Sequence, residues 1–227
     1  MEKKFEHISH KLIGSLSDGV FAISLTLLGL DVVALVPEIS KSENVNAALV
    51  DNWPTFFAYA LGFVVLFSTW YQYHAVGQYV KGTNAWFVWQ QGLNLGWVAL
   101  MPFGVSMLAS NFGAPQEKWG VFYFGICLFG TCWTSLILLA ISGFDFKISY
   151  DNRLPLPLEL MRSITQLATA FGAAMGLLLV TVALFFPKVA ILGYGIYVAT
   201  NFAPVWTLNG YMRILVSAQR RRMPDPL

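Results

Sequence analysis

This sequence predicts an all-α integral membrane protein that crosses the bilayer six times. Three observations predict it. Of its 227 residues, 56% are hydrophobic and only 11% are charged, about half the charged share of an ordinary soluble domain. The apolar residues gather in six runs, each long enough for a hydrocarbon core of about 30 Å. Short polar stretches separate the runs, as loops separate spans. A soluble chain of this length needs a polar shell that this composition does not supply.

The first run predicts a helix from Leu12 to Val36, stopped by Pro37. A cleaved signal peptide would carry a shorter, uncharged apolar core. This run holds Asp18, Ser24, Thr26 and Asp31 and reads as a retained helix. A polar loop is expected from Glu38 to Asn52. The second helix is expected from Trp53 to Val80, with Pro54 suited to a first helical turn. A tight turn, Lys81-Gly82-Thr83-Asn84, leads to a third helix from Ala85 to Ser110. The next loop runs from Gly113 through Pro115 to Lys118. The fourth helix is expected from Trp119 to Ser142, followed by a polar connection from Gly143 to Arg153. The fifth is expected from Leu158 to Phe186. The sixth is expected from Val189 to Val216, kinked at Pro204. The chain reads as one domain, residues 1–227, with no soluble module, no low-complexity segment and no clear internal repeat.

Charge placement orients the helices. With a cytoplasmic N-terminus, the inner segments hold 11 of the 14 basic residues. Only Lys41, Lys118 and Lys188 remain outside, so both termini are expected in the cytoplasm. Trp53, Trp86, Trp89 and Trp119 fall near helix ends, where interfacial anchors belong. Cys127 and Cys132, inside one apolar run, read as small apolar fillers.

Ionisable groups inside spans are costly and mark candidate functional sites. Here they are Asp18 and Asp31 in the first helix, His74 in the second, Arg162 in the fifth and Arg213 in the sixth. The two arginines lie close enough to the cytoplasmic side to reach water with their long side chains. Asp31 stands near the outer end of its helix. Asp18 and His74 are the hardest to place as passive residues.

At about 100° per residue, Ile23, Leu27 and Leu30 lie within about 60° of one another. Leu16, Gly19 and Ala34 continue the same stripe, whereas Asp18 points about 140° from Ile23 and Ser17 also lies off it. One face of the first helix is therefore purely apolar. Spacing alone leaves two uses for that face, contact with lipid or lining of a pore. Ser24 and Thr26 flank the stripe and are expected to bond the helix backbone.

The run Leu16-Ser17-Asp18-Gly19-Val20-Phe21-Ala22-Ile23-Ser24-Leu25-Thr26-Leu27-Leu28 resembles the first helix of the transmembrane protein 175 family. That family comprises lysosomal-type potassium channels and their prokaryotic relatives. Its Arg-x-x-x-Phe-Ser-Asp signature is matched at Ser17 and Asp18. Leu16 stands at the phenylalanine position and Leu12 at the arginine position, with Lys11 beside it. Trp70-Tyr71-Gln72-Tyr73-His74 resembles the family's second helix, and Asn94 with Leu100-Met101-Pro102-Phe103 its third. The resemblance is good over residues 11–105 and diffuse beyond.

The resemblance implies a homotetrameric cation channel in a prokaryotic plasma membrane, with its pore lined by the first helix of each subunit. The pore would be narrowed by rings of Ile23, Leu27 and Leu30, flanked by Gly19 and Ala34. Behind it, Ser17, Asp18, His74, Asn94 and Lys11 would form a polar network between helices. No cofactor, metal or nucleic acid is implied, and potassium enters as the permeant ion. An apolar ring can gate by dewetting.

Gly193-Tyr194-Gly195 repeats the end of a carbonyl-cage filter motif. Ile191 and Leu192 precede it, and it lies inside a continuous apolar span, so it reads as helix. No arginine repeat marks a voltage sensor. A proton-coupled transporter or proton pathway through Asp18 and His74 is the second reading, because histidine titrates near neutral pH. An enzyme is not expected, as the sequence has no metal-binding HExxH and no GxSxG.

Overall fold

The computed structural model describes residues 10–77, 85–144 and 156–199. Among these residues every regular element is a helix: α1 His10–Ala34, α2 Val36–Lys41, α3 Val45–Asp51, α4 Trp53–Gly77, α5 Ala85–Asn111, α6 Glu117–Phe144 and α7 Leu156–Phe185. An eighth, α8, is described over Pro187–Ala199. The expected turn at Lys81, the connection before Arg153, and the sixth span beyond Ala199 with Pro204, Arg213 and the arginine tail lie outside the described residues. So do the side chains of Lys11 and Arg162.

Among the described residues, four spans are long and apolar enough to cross a membrane: Ile13–Lys41, Trp53–Tyr71, Ala85–Asn111 and Glu117–Leu138. Thr169–Phe185 and Pro187–Ala199 are shorter apolar helices. A helix of 25 residues, such as α4, extends about 37 Å and spans the core with some tilt.

Two boundaries differ from the sequence expectation. Pro37 does not end helical structure. It lacks the N–H that would bond the Val33 carbonyl, so the chain breaks at Leu35, where Leu35 N donates to Val32 O at 3.2 Å. Helix α2 restarts at once, because proline is tolerated in a first turn. The segment expected as a polar loop is thus largely helical, and α3 is capped by the Asn44 side chain accepting from Ala47 N at 3.1 Å. Glu117 and Lys118 belong to the first turn of α6 rather than to the loop before it. Glu117 Oε1 accepts from Gly113 N at 3.1 Å, and Gly113 makes the turn with φ of 72°. Pro54 does open α4, as expected.

Helix α5 is central: it packs on α1, α4 and α6, and α6 in turn packs on α7. Leu28 of α1, Leu66 of α4, Val98 and Met101 of α5, Phe124 and Leu128 of α6, and Tyr194 of α8 form one buried core. Small residues let these backbones approach. A Cβ added at Gly120 would stand 2.5 Å from the Met107 carbonyl oxygen, and one at Gly130 would enter the Trp97 ring. Tyr194 lies edge-on to Phe124 at 5.2 Å between ring centres and donates to Val121 O at 3.5 Å. The Gly-Tyr-Gly run is therefore a packed helical segment.

Cys127 and Cys132 are free and buried. Cys127 Sγ donates to Leu100 O at 3.6 Å, and Cys132 Sγ lies 3.0 Å from the Tyr197 hydroxyl.

Candidate functional site

Helix α1 has two distinct faces. Ile13, Ser17, Phe21, Ser24 and Leu28 are buried. Their spacing of three and four residues draws one arc of the helix toward α4 and α5. On the other arc, Ile23 is 61% exposed, Leu27 42% and Leu30 58% in the single chain. Leu16, Gly19, Val33 and Ala34 are exposed on the same side. The stripe seen in the sequence thus faces away from its own subunit along its full length. Thr26 Oγ1 donates to Ile23 O at 2.7 Å, as expected of a hydroxyl in a membrane helix. Ser24 is not beside the stripe but on the packed arc, 1% exposed.

Asp18 sits at the margin between these arcs, half exposed. Its Oδ1 accepts from Trp70 Nε1 at 3.0 Å and stands 3.4 Å from His74 Nε2. Trp70 and His74 are four residues apart on α4, so one face of that helix brings both rings to the carboxylate. The rings touch, with centres 4.5 Å apart. Below Trp70 the stack continues along the same face through Phe67, Phe63 and Tyr59, at 5.7, 6.0 and 5.9 Å between successive centres. The tryptophan makes the better bond, since 3.4 Å is long for an N–H donor.

Ser17 turns the other way. Its hydroxyl donates to Ile13 O at 2.8 Å and accepts from Gln91 Nε2 of α5 at 3.0 Å. The neighbouring residues Ser17 and Asp18 therefore fasten α1 to two different helices, because successive residues on a helix diverge by about 100°.

Asn94 is placed otherwise than the family likeness implied. It does not meet Ser17 or Asp18; its Nδ2 donates toward Thr134 Oγ1 at 2.9 Å, Ser135 Oγ at 2.8 Å and Thr131 O at 3.2 Å, all on α6. Gln90 Nε2 joins it by donating to Thr134 O at 3.1 Å. Gln91, three residues earlier on α5, takes the place toward α1, because that position faces a different neighbour. The sequence held one signal for it: an adjacent amide pair, Gln90-Gln91, early in a largely apolar helix. Beside this network the Tyr73 hydroxyl, His74 Nδ1 and Gln91 Oε1 are buried without a hydrogen-bond partner. No cluster of three or more metal-ligating side chains occurs among the described residues.

Several apolar helices, an inner belt of amides and hydroxyls, and a carboxylate–indole–imidazole cluster define a multi-pass α-helical membrane protein. Residues 13–102 match the model of the endosomal/lysosomal potassium channel TMEM175. Over this stretch the chain is similar to the TMEM175 family. It is 31% identical over 106 residues to a potassium channel of Chamaesiphon minutus, covering 47% of this chain and 52% of the relative. It is 36% identical over 97 residues to a potassium channel of Streptomyces collinus, covering 43% and 46%. The matches thus span about half the length of these curated relatives. The fold resembles the crystal structure of a lysosomal potassium-selective channel TMEM175 homolog from Chamaesiphon minutus, with a TM-score of 0.69 and 20% identity, over 88% of this chain and 98% of that one.

Proposed function

We propose that this chain is one subunit of a homotetrameric potassium-permeable channel in a prokaryotic plasma membrane. Each subunit crosses six times, with both termini cytoplasmic, and α1 lines the central pore. Rings of Ile23, Leu27 and Leu30 narrow that pore, with Gly19 and Ala34 at its flanks.

The observation that carries this reading is the division of α1. An uninterrupted apolar stripe is turned outward, while the opposite arc is fastened by polar bonds to α4 and α5. A lipid-facing helix needs no such polar fastening, whereas a pore wall must hold its rings in register. The potassium-channel names of the two bacterial relatives support the choice of ion. Leucine and isoleucine offer no ligand oxygen, so passage depends on pore width and wetting. Purified protein in liposomes should pass potassium, and Leu27→Ser should change conductance or selectivity. A monomeric particle in detergent, or flux indifferent to changes along the stripe, rules the pore out.

A second reading rests on the 3.4 Å approach of His74 to Asp18. A carboxylate and an imidazole side by side inside a span can relay protons. Transport that requires a pH gradient and is lost in both Asp18→Asn and His74→Ala favours this reading; unaltered potassium flux in those variants removes it.

A further inference from the structure

Away from the outward face of α1, four helices meet around a cavity of about 20 Å³. Its polar lining is Ser68 and Thr69 of α4, Cys132 and Ser135 of α6, Thr169 of α7 and Tyr197 of α8; three valines complete it. No acid or base is among these lining residues. A site holds one water when it is polar and offers at least about 10–15 Å³. This cavity meets both conditions and is too small for a larger ligand.

The hydroxyls are set for a water in particular. Ser68 Oγ and Thr69 Oγ1 donate to the same carbonyl, Val65 O, at 3.0 and 2.8 Å. Their protons are thereby committed within α4, and each oxygen keeps lone pairs for accepting. Ser135 Oγ is in the opposite condition: it accepts from Asn94 Nδ2 at 2.8 Å, and its own proton is the one to give. A ligand that donates to α4 and accepts from α6 fits, which is the hydrogen-bonding capacity of one water molecule. A bare alkali cation donates nothing, and burying its charge among neutral hydroxyls is costly.

We propose that this cavity is a built-in site for one water molecule that bridges Ser68 and Thr69 of α4 to Ser135 of α6. The bridge has a topological consequence. Asp18 of α1 is bonded to Trp70 of α4, Ser17 of α1 to Gln91 of α5, and Asn94 of α5 to Ser135 of α6. The water joins α6 back to α4, two residues before Trp70 along the chain. Polar links then run in a closed circuit through α1, α5, α6 and α4, and the position of α1 is fixed from both sides. This holds whatever ion the assembled protein passes.

The test is a structure of the full chain in lipid nanodiscs, fine enough to show ordered water, together with a stability cycle over Ser68→Ala, Ser135→Ala and the double variant. A single rounded density within hydrogen-bond reach of Ser68 and Ser135 is expected. The two residues share no direct bond, so strong coupling between them, read together with the density, is what a bridging water predicts. Ser68→Ala should therefore lower Tm less than half as much in the Ser135→Ala background as in the natural chain. The cycle cancels the loss of the Asn94–Ser135 bond, which occurs on both of its arms. Additive shifts, an empty cavity in the map, or an anomalous thallium signal inside it would each overturn the proposal, the last by making it a cation site.

Discussion

Trp70 Nε1 donates to Asp18 Oδ1 at 3.0 Å, and the same oxygen is the one that faces His74 Nε2 at 3.4 Å. One carboxylate oxygen thus anchors α1 to two rings on a single face of α4. Asp18→Ala strips both rings of their acceptor and should cost about 0.5–1.5 kcal/mol, the net worth of a hydrogen bond that water can partly replace. Asp18→Asn keeps an acceptor for Trp70 and should cost less. Thermal unfolding in detergent orders the three proteins, and equal Tm values for the alanine and natural chains would show that the bond contributes nothing.

Leu27 and Leu28 are neighbours with opposite environments, the first 42% exposed and the second fully buried. Leu28→Ala empties core volume between α1, α4 and α5 and should destabilise by about 2–5 kcal/mol. Leu27→Ala removes a side chain that lies outside the buried core and should destabilise far less, by about 0.5 kcal/mol. The same pair read by potassium flux should invert: Leu27→Ala alters conductance in protein that remains folded.

Gln91 and Asn94 should separate by phenotype. Asn94→Ala releases α6 and leaves the hold on α1 intact, so its effect should be on unfolding, at about 1–3 kcal/mol. Gln91→Ala releases Ser17 and should show in flux through a shifted α1 as well as in stability. Identical flux in Gln91→Ala and the natural protein would place Ser17 outside the pore's support.

Gly120→Ala should be poorly tolerated although alanine is the better helix former. The added carbon would press on the Met107 carbonyl, part of the α5 backbone, which cannot turn aside as a side chain can. Overpacking of this kind costs about 1–3 kcal/mol. Gly96→Ala on the open side of α5 has nothing within 4 Å of the new carbon and should gain slightly in stability, by less than about 1 kcal/mol. A chemical or thermal melt of the two variants checks the contrast.

Much of the fold was readable because lipid imposes simple rules. A span must be long, apolar and internally hydrogen-bonded, so hydropathy alone located α4, α5 and α6 to within a few residues. It failed at Pro37, where a proline breaks a helix and also starts the next. It failed again over residues 38–52, because polar composition does not distinguish a loop from short surface helices.

The sequence by itself determined the apolar stripe of α1 and the placing of Ser17 and Asp18 off that stripe, since helical periodicity fixes which side chains share a face. It also picked out Asp18 and His74, because charge inside a span is rare and costly. Only the tertiary structure decided the partners: Trp70 as the donor to Asp18, Gln91 rather than Asn94 as the donor to Ser17, and Asn94 turned to α6. The physical reason is that α4, α5 and α6 are apolar almost all round, so their own periodicity marks no inward face. Which of their few polar groups meet depends on how the helices are rotated against one another, and that rotation brings Gly120 against the Met107 carbonyl and Gly130 against the Trp97 ring.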